Sequence, residues 1–296
     1  MKTLIVIGGP TGSGKTALAI EIAGALQTEI LSADSRQCYR EMNIGVARPS
    51  SEQLETIQHH FIASHSIQDE MNAASFEKYG LNILNRILEK NDYAVVCGGT
   101  GLYIKALLEG LDEMPPIDPL IRKQCRDEYH EKGIQWLQEQ LKDCDPDLYE
   151  RMDIHNHVRL LRALEFYLSH QQTLSSYQRA TTKSRPFRAI CLYTNPDRST
   201  LYHQINQRVL QMLESGLEAE VHDLQNFSSL QALQTVGYKE YFSYFNGLIT
   251  QEECIAEIQQ HTRNYAKRQI TWFKQQDAFI PILSDAHILE QIKNHL

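Results

Sequence analysis

The 296-residue sequence lacks long apolar runs and paired cysteines, and each absence excludes a class of protein. No stretch approaches the roughly 18 consecutive apolar residues that a membrane-spanning helix needs. The apolar run at residues 4–7 is too short for the hydrophobic region of a secretory signal peptide. Without a C-x-x-C pair, the six scattered cysteines form no zinc ribbon or thioredoxin-type motif, and they fit free thiols in a reducing compartment. We therefore expect a cytoplasmic protein without a membrane segment.

Basic charge is also scarce. The chain carries 29 Lys and Arg against 37 Asp and Glu, which gives a net charge of −8. A surface covered with nucleic-acid contacts needs clustered Lys and Arg, so this balance argues against such a surface but leaves room for a local basic patch. The twelve histidines form no H-E-x-x-H motif or other ligand quartet, and we predict no transition-metal site.

Hydrophobic periodicity predicts an α/β fold with a parallel sheet flanked by helices. Apolar runs typical of buried strands lie at residues 4–7, 29–31, 93–97, 187–193 and 279–283. Helical patterns cover residues 15–26, 76–90, 196–213 and 251–274, the third with Asn195 as N-cap and Pro196 as its first residue. From a breaker-rich segment at 114–119 to about residue 178 no strand pattern appears, and helical patterns follow one another, as at 122–132 and 158–169. We predict a core of residues 1–114 and 187–296, interrupted by an all-helical insertion at 115–186.

The strongest motif is GPTGSGKT at residues 9–16, which matches the P-loop pattern G-x-x-x-x-G-K-[ST]. It follows an apolar strand and precedes a helical pattern, so the predicted fold is P-loop NTPase-like. Backbone N–H groups and a helix N-terminus favour phosphate oxygens, Lys15 adds a point charge, and the Thr16 hydroxyl is a ligand for Mg²⁺. The predicted phosphate or diphosphate site comprises Gly9, Pro10, Thr11, Gly12, Ser13, Gly14, Lys15 and Thr16.

Three further residues are candidates for chemistry. Asp34 follows the second predicted strand, at the edge where α/β sheets bind ligands. Its carboxylate is a candidate Mg²⁺ ligand or general base, and the alternative is a structural role as a helix cap or turn residue. Thr100 follows two glycines after the third strand, in a ligand-binding loop or a simple turn. Arg208 lies at the edge of the apolar stripe of a predicted helix. Its side chain either binds phosphate or forms a salt bridge at the side of the helix.

Taken in order, these elements resemble the tRNA dimethylallyltransferase (tRNA isopentenyltransferase) family. The resemblance covers nearly the whole chain with its spacings kept. It runs through GPTGSGKT at 9–16, DSRQCYREMNIG at 34–45, GGTGLYIKALLEGL at 98–111, RALEFY at 162–167, QRVLQMLESGLEAEV at 207–221, TVGYKE at 235–240 and TRNYAKRQITWF at 262–273.

The resemblance implies transfer of the dimethylallyl group from dimethylallyl diphosphate to the N6 amine of the adenosine 3′ of the anticodon in tRNA. Asp34 matches the general base of the family and Thr100 its threonine beside the reacting centre, while the P-loop, Arg208 and Mg²⁺ on Thr16 would stabilise the leaving diphosphate. The implied partners are dimethylallyl diphosphate and a tRNA anticodon stem-loop, and we expect a monomer. The implied tRNA-binding residues are Asp34, Ser35, Arg36, Gln37, Thr100, Arg122, Val158, Arg159, Leu160, Leu161, Arg162, Gln234, Thr235, Val236, Gly237, Tyr238 and Lys239.

The sequence departs from the common family pattern at a few positions. Members commonly read D-I-G-T-A-K-P where this chain has Asn43, Val46 and Arg48 in N-I-G-V-A-R-P, and H-P-N-D where it has D-I-H-N at 153–156. The P-loop residue that is commonly Ala is Gly12 here. These departures bear on the fit of the RNA more than on the diphosphate site.

Three alternatives remain open at this stage. They are an enzyme that prenylates free AMP, ADP or ATP, a P-loop kinase of a small metabolite, and a non-enzymatic nucleotide-dependent interaction module. Residues 115–188 hold 12 basic and 11 acidic residues, whereas the rest of the chain holds 17 and 26. The relative enrichment of basic charge in the insertion favours an RNA substrate.

Overall fold

Six parallel strands form one sheet in the computed structural model, which describes residues 2–112, 114–177, 182–282 and 288–293. The strands lie in the order β3-β2-β4-β1-β5-β6. In chain order the elements are β1 (Thr3–Gly8), α1 (Lys15–Ala25), β2 (Ile30–Ser32), α2 (Ser51–Thr56), β3 (His59–His60), α3 (Ala73–Lys90), β4 (Tyr93–Gly98), α4 (Gly101–Glu109), α5 (Pro119–Cys144), α6 (Pro146–Arg151), α7 (His157–His170), α8 (Leu174–Tyr177), β5 (Arg188–Tyr193), α9 (Arg198–Glu214), α10 (Leu217–Asp223), α11 (Lys239–Phe245), α12 (Gln251–Lys274), β6 (Phe279–Pro281) and α13 (Ile288–Lys293).

The centre of the sheet explains why its strands read as unbroken apolar runs. All residues of β1 are buried, and β1 pairs with β4 on one side and β5 on the other. Strands buried on both faces need apolar residues at every position rather than at alternate ones. Because parallel strands end at the same edge, the loops after β1, β2, β4 and β5 meet there. The predicted α/β fold with a parallel sheet is confirmed.

The chain divides into two compact units, a helical one of Gly110–Lys183 and an α/β one formed by the residues before and after it. The helical unit contains α5–α8 around a core that includes Leu137, Leu141, Leu160 and Phe166. It begins five residues before the predicted boundary at 115 and ends three residues before the predicted boundary at 186. Residues 178–181 of the predicted insertion lie outside the described residues. Among the described residues, no helix is long and apolar enough to cross a membrane.

The segment between β5 and β6 differs from its prediction. It contains four α-helices instead of the two predicted, because α10 and α11 have only seven residues each and present little periodicity. The first helix begins at Arg198 with Asp197 as N-cap, whose carboxylate accepts from the Thr200 amide at 2.9 Å. The prediction of Asn195 as the cap was wrong, because Asp197 is an equally good capping residue two positions later. Leu283, at the end of the last predicted strand, lies outside the described residues.

All six cysteines are free, and all but Cys144 are buried. Burial raises the pKa of every one of these thiols above its usual range, because an apolar surrounding disfavours the thiolate. The pKa is about 11 for Cys97, Cys125 and Cys144, and about 12 for Cys38, Cys191 and Cys254.

Candidate active site

The P-loop at residues 9–16 connects the end of β1 to the start of α1, as predicted. The Lys15 ammonium donates to the Pro10 carbonyl at 3.2 Å, so the side chain folds back over the loop. Burial lowers the pKa of Lys15, and Arg208 adds to that effect. A partly desolvated ammonium near a guanidinium favours an anionic ligand, because a phosphate or diphosphate would offset the cost of burying both cations.

A buried glutamine holds the P-loop from the side of α12. The Thr11 amide donates to Gln269 Oε1 at 2.9 Å, and Gln269 Nε2 donates to the Gly99 carbonyl at 2.8 Å. On another side, the Ser13 and Thr194 hydroxyls are 2.6 Å apart. The loops after β1, β4 and β5 are thus joined by side-chain hydrogen bonds. Gln269 was not predicted from the sequence, although a polar residue on the buried stripe of α12, between Ala266 and Phe273, could have indicated it.

Asp34 lies two residues after the end of β2, where one of its carboxylate oxygens closes a turn. Its Oδ1 accepts from the Arg36 amide at 2.9 Å and from the Gln37 amide at 3.2 Å. Thr100 supports the same turn, because its hydroxyl oxygen accepts from the Ser35 amide at 3.1 Å. The structure therefore fixes the direction of the Asp34 carboxylate through one oxygen.

Arg208 projects from α9 toward the P-loop. Its Nη1 lies 3.5 Å from the Thr11 hydroxyl, and burial lowers its pKa. The structure records no ion pair for Arg208 among the described residues, in contrast to the salt-bridged alternative. A half-buried guanidinium without a carboxylate partner has its donors available for a ligand anion.

Two cavities open in the α/β unit, and they share part of their lining. The first has a volume of about 630 Å³, and the second, which contains Lys15 and Thr16, about 1030 Å³. Thr11, Asp34 and Arg208 line both. Thr100 is not among the described residues that line either one. Asp34 and Arg208 therefore stand at the junction between the cavity that contains the P-loop residues Lys15 and Thr16 and the other cavity.

The first cavity gathers two of the predicted tRNA segments. It is lined by Asp34, Ser35 and Arg36 from one and by Gln234, Thr235, Val236, Gly237 and Lys239 from the other. Tyr265 of α12 also lines it, and burial raises the pKa of this phenol to about 12. Two side chains of these segments bind other groups of the protein. Gln37 donates to the carbonyls of Val46 and Ala47, and the fully buried Tyr238 hydroxyl donates to Glu220 at 2.6 Å.

The other predicted tRNA residues lie in the helical unit, Arg122 on α5 and residues 158–162 on α7. Arg122 Nε is 3.6 Å from Glu165, a carboxylate that is only 8% exposed and whose pKa burial raises. Val158, Arg159 and Arg162 are exposed, whereas Leu160 is buried in the helical core. The exposed members of this segment are therefore the ones that present chemistry to a ligand.

Within the described residues, no group of three or more His, Cys, Asp or Glu side chains could hold a metal ion. A magnesium ion needs fewer protein ligands, because it keeps several waters and shares phosphate oxygens with a substrate. The second cavity offers two oxygen donors of the kind Mg²⁺ prefers, the Thr16 hydroxyl and the Asp34 carboxylate. The donor set fits a magnesium ion bound together with a diphosphate.

The P-loop at the central strand and the anion site beside it define an α/β protein of the P-loop class. A family model described as IPP transferase matches residues 37–276, and the chain belongs to that family. The tRNA dimethylallyltransferase of Cytophaga hutchinsonii is 43% identical over 272 residues, which cover 92% of this chain and 90% of that protein. That of Flavobacterium johnsoniae is 42% identical over 283 residues, 94% of this chain and 92% of that protein.

Solved structures agree with these relatives. The tRNA Δ(2)-isopentenylpyrophosphate transferase of Staphylococcus epidermidis superimposes with a TM-score of 0.70 at 34% identity, over 100% of this chain and 98% of that one. A eukaryotic dimethylallyltransferase, solved acting on tRNA, gives a TM-score of 0.75 at 27% identity, over 92% of this chain and 70% of that one. The resemblance found in the motifs is confirmed over the length of the chain.

Proposed function

We propose that this enzyme transfers the dimethylallyl group of dimethylallyl diphosphate to the N6 amine of the adenosine 3′ of the anticodon in tRNA. The observation that carries the proposal is the junction of the two cavities, where Asp34 and Arg208 line both. One chamber supplies cations for a diphosphate, and the other has room for a base. Family membership narrows the class of reaction to prenyl transfer.

On the donor side, the groups around the P-loop stabilise the leaving diphosphate. The bond between C1 of the dimethylallyl group and the diphosphate oxygen breaks, and negative charge grows on that oxygen. Lys15, Arg208 and the loop amides face this charge from partly buried positions, where electrostatic stabilisation is stronger than in water. The Thr16 hydroxyl would help to hold a Mg²⁺ ion, which would supply further neutralisation of this charge.

On the acceptor side, the adenine N6 attacks C1 and becomes more acidic as the new bond forms. The Asp34 carboxylate takes the N6 proton, so that the products are the alkylated base and free diphosphate. The two amides that bind Asp34 Oδ1 keep this carboxylate oriented. To reach the first cavity the adenine has to leave its stack, as bases modified in pockets do.

The tRNA substrate, rather than a free nucleotide, is supported by two observations. The relatives from Cytophaga hutchinsonii and Flavobacterium johnsoniae are tRNA dimethylallyltransferases, and this chain matches 90% and 92% of their lengths. In addition, the helical unit presents exposed arginines on α5 and α7, and exposed cations are the groups that bind RNA phosphates. A free nucleotide substrate would not need the exposed arginines of a separate helical unit.

The test offers radiolabelled dimethylallyl diphosphate with Mg²⁺ to unmodified tRNA and to AMP in parallel reactions. We expect label in tRNA, released on digestion as N6-dimethylallyladenosine from the position 3′ of the anticodon. Label in AMP alone would refute the tRNA substrate, and label in neither would refute prenyl transfer to adenosine. Omission of Mg²⁺ in a third reaction tests the metal separately.

A further inference from the structure

One irregular loop, residues 39–48, forms part of the wall between the two cavities. Val46 and Ala47 line both. Ala47 has a φ of 49°, a left-handed conformation that disfavours residues with a Cβ. A loop without regular structure and with such a residue keeps its shape only if other groups bind its backbone.

Glu220, on α10, binds the amide side of this loop. Its Oε2 accepts from the amides of Asn43 at 3.0 Å and Ile44 at 2.7 Å, and its Oε1 accepts from the Gly45 amide at 2.9 Å. Three successive amides that converge on one carboxylate form an anion-binding nest. Here the anion is a side chain of the protein, 175 to 177 residues further along the chain.

The same carboxylate also binds the opposite wall of the first cavity. The Tyr238 hydroxyl donates to Glu220 Oε1 at 2.6 Å, and Tyr238 is fully buried in the segment 234–239. Burial raises the pKa of this phenol far above its usual range, and the negative charge of Glu220 raises it further. The hydroxyl therefore keeps its proton. A Cβ on Gly45 would lie 2.6 Å from the Tyr238 ring, so loop and segment pack in direct contact.

The carbonyl side of the loop is bound by two other side chains. Arg48 Nη2 donates to the carbonyls of Tyr39 at 2.8 Å, of Arg40 at 3.1 Å and of Met42. Gln37 Nε2 donates to the Val46 carbonyl and, at 3.0 Å, to the carbonyl of Ala47, the residue with the left-handed backbone. Of these three side chains, only Glu220 reaches the segment 234–239.

We propose that Glu220 is a positioning residue for the acceptor base. By joining the amides at 43–45 to Tyr238, its carboxylate sets the separation of the two walls between which the adenine must lie. It lines neither cavity among the described residues, so its effect reaches the first cavity through Gly45, Val46, Ala47 and the 234–239 segment. This inference rests on the proposed function, because it concerns the acceptor of the same reaction.

The test compares E220Q with E218Q, a matched change on the same helix. Glutamine keeps the shape but replaces one acceptor oxygen with an NH₂ group, which cannot accept from the amides. Glu218 contacts the exposed Gln251 side chain at 3.0 Å and lines neither cavity among the described residues. For E220Q we expect kcat/KM for tRNA to fall at least tenfold, with KM for dimethylallyl diphosphate at saturating tRNA within twofold of wild type. E218Q should match wild type in both.

Y238F extends the test if E220Q folds poorly, as judged by its Tm. It removes one of the four donors without changing charge, so we expect a two- to fivefold loss of kcat/KM for tRNA. In E220Q/Y238F the loss should be smaller than the product of the single losses, because both changes break the same hydrogen bond.

Two results would overturn the inference. One is wild-type kcat/KM for tRNA in both E220Q and Y238F, and the other is an equal loss for tRNA and for dimethylallyl diphosphate, which would indicate a general loss of structure. A failure of the proposed function is distinguishable, because then wild-type enzyme would place no label in tRNA.

Discussion

Lys15 and Arg208 beside the cavities of the α/β unit, and Arg122 and Arg126 of the helical unit, occupy opposite environments. Lys15 and Arg208 are partly buried beside a cavity, and burial lowers the pKa of both. Arg122 and Arg126 are exposed, and both lie within 4.0 Å of the buried carboxylate of Glu165. The first pair of cations is partly desolvated, and the second pair is hydrated.

This difference separates two ways of using positive charge. Desolvated cations act strongly at short range and are weakly screened, which suits a charge that develops on a leaving group. Hydrated cations act weakly and are screened beyond about 10 Å at 0.1 M salt, which suits reversible binding of RNA phosphates. Salt dependence is therefore the measurement that tells the two groups apart.

The largest expected effect comes from the carboxylate between the cavities. Asp34→Ala removes the proposed proton acceptor, and we expect kcat to fall by about 10²–10⁴-fold with the KM for dimethylallyl diphosphate little changed. The measurement is transfer of labelled dimethylallyl groups to tRNA under single-turnover conditions. Near-normal turnover would remove Asp34 from the role of base, and Asp92→Ala, an exposed carboxylate 82% accessible, serves as control.

The second largest loss of activity is expected on removal of the half-buried Arg208 guanidinium. Arg208→Ala deletes a cation aimed at the leaving group, and we expect kcat to fall by about 10²–10³-fold at every salt concentration. Arg198→Ala, an exposed cation over the Tyr202 ring on the same helix, is the matched control. If the loss in Arg208→Ala disappeared at high salt, the contrast between buried and exposed cations would be wrong.

A smaller and salt-dependent effect is expected in the helical unit. Arg122→Ala should raise the KM for tRNA several-fold at low salt and reduce the slope of log K against log salt by about 1, with kcat unchanged. The control is Arg151→Ala in the same unit, where the guanidinium donates to the Asp147 carbonyl. A salt slope equal to that of wild type would show that Arg122 does not contact phosphate.

The smallest effect is expected for a cation that serves the backbone of the protein. Arg48 donates to three loop carbonyls through one nitrogen, and the three donors of a lysine ammonium can replace it. We expect Arg48→Lys to keep kcat/KM within about threefold, whereas Arg208→Lys loses the geometry of the guanidinium and should be clearly slower. Equal effects at the two positions, measured by the same assay, would contradict this distinction.

Local motifs predicted the parts of the site that depend on neighbours in sequence. The P-loop at 9–16, the carboxylate after β2 and the threonine after β4 each follow a buried strand, and the edge of a parallel sheet brings them together. The sequence did not reveal the bonds of Gln269 to Thr11 or of Glu220 to residues 43–45, because each joins positions more than 170 residues apart. Such contacts depend on how helices pack, and the pattern within one helix does not encode the partner.

Helix ends show a second limit. The N-cap of α9 is Asp197 instead of the predicted Asn195. Both residue types cap helices, and only the hydrogen bond from the Thr200 amide to Asp197 distinguishes them. The long helix at 251–274 was predicted at its observed bounds, since Thr250 and Glu253 form a capping box and the apolar stripe is long.

Burial raises the pKa of all six thiols, and because maleimide and iodoacetamide dyes attack the thiolate, we expect the native cysteines to react slowly with them at neutral pH. A cysteine introduced at exposed Val158 would then be the one fast-reacting thiol among the described positions. A fluorophore attached there would test whether tRNA binds to the helical unit, without first deleting any native cysteine. The chemistry of the native thiols thus leaves the protein ready for site-specific labelling.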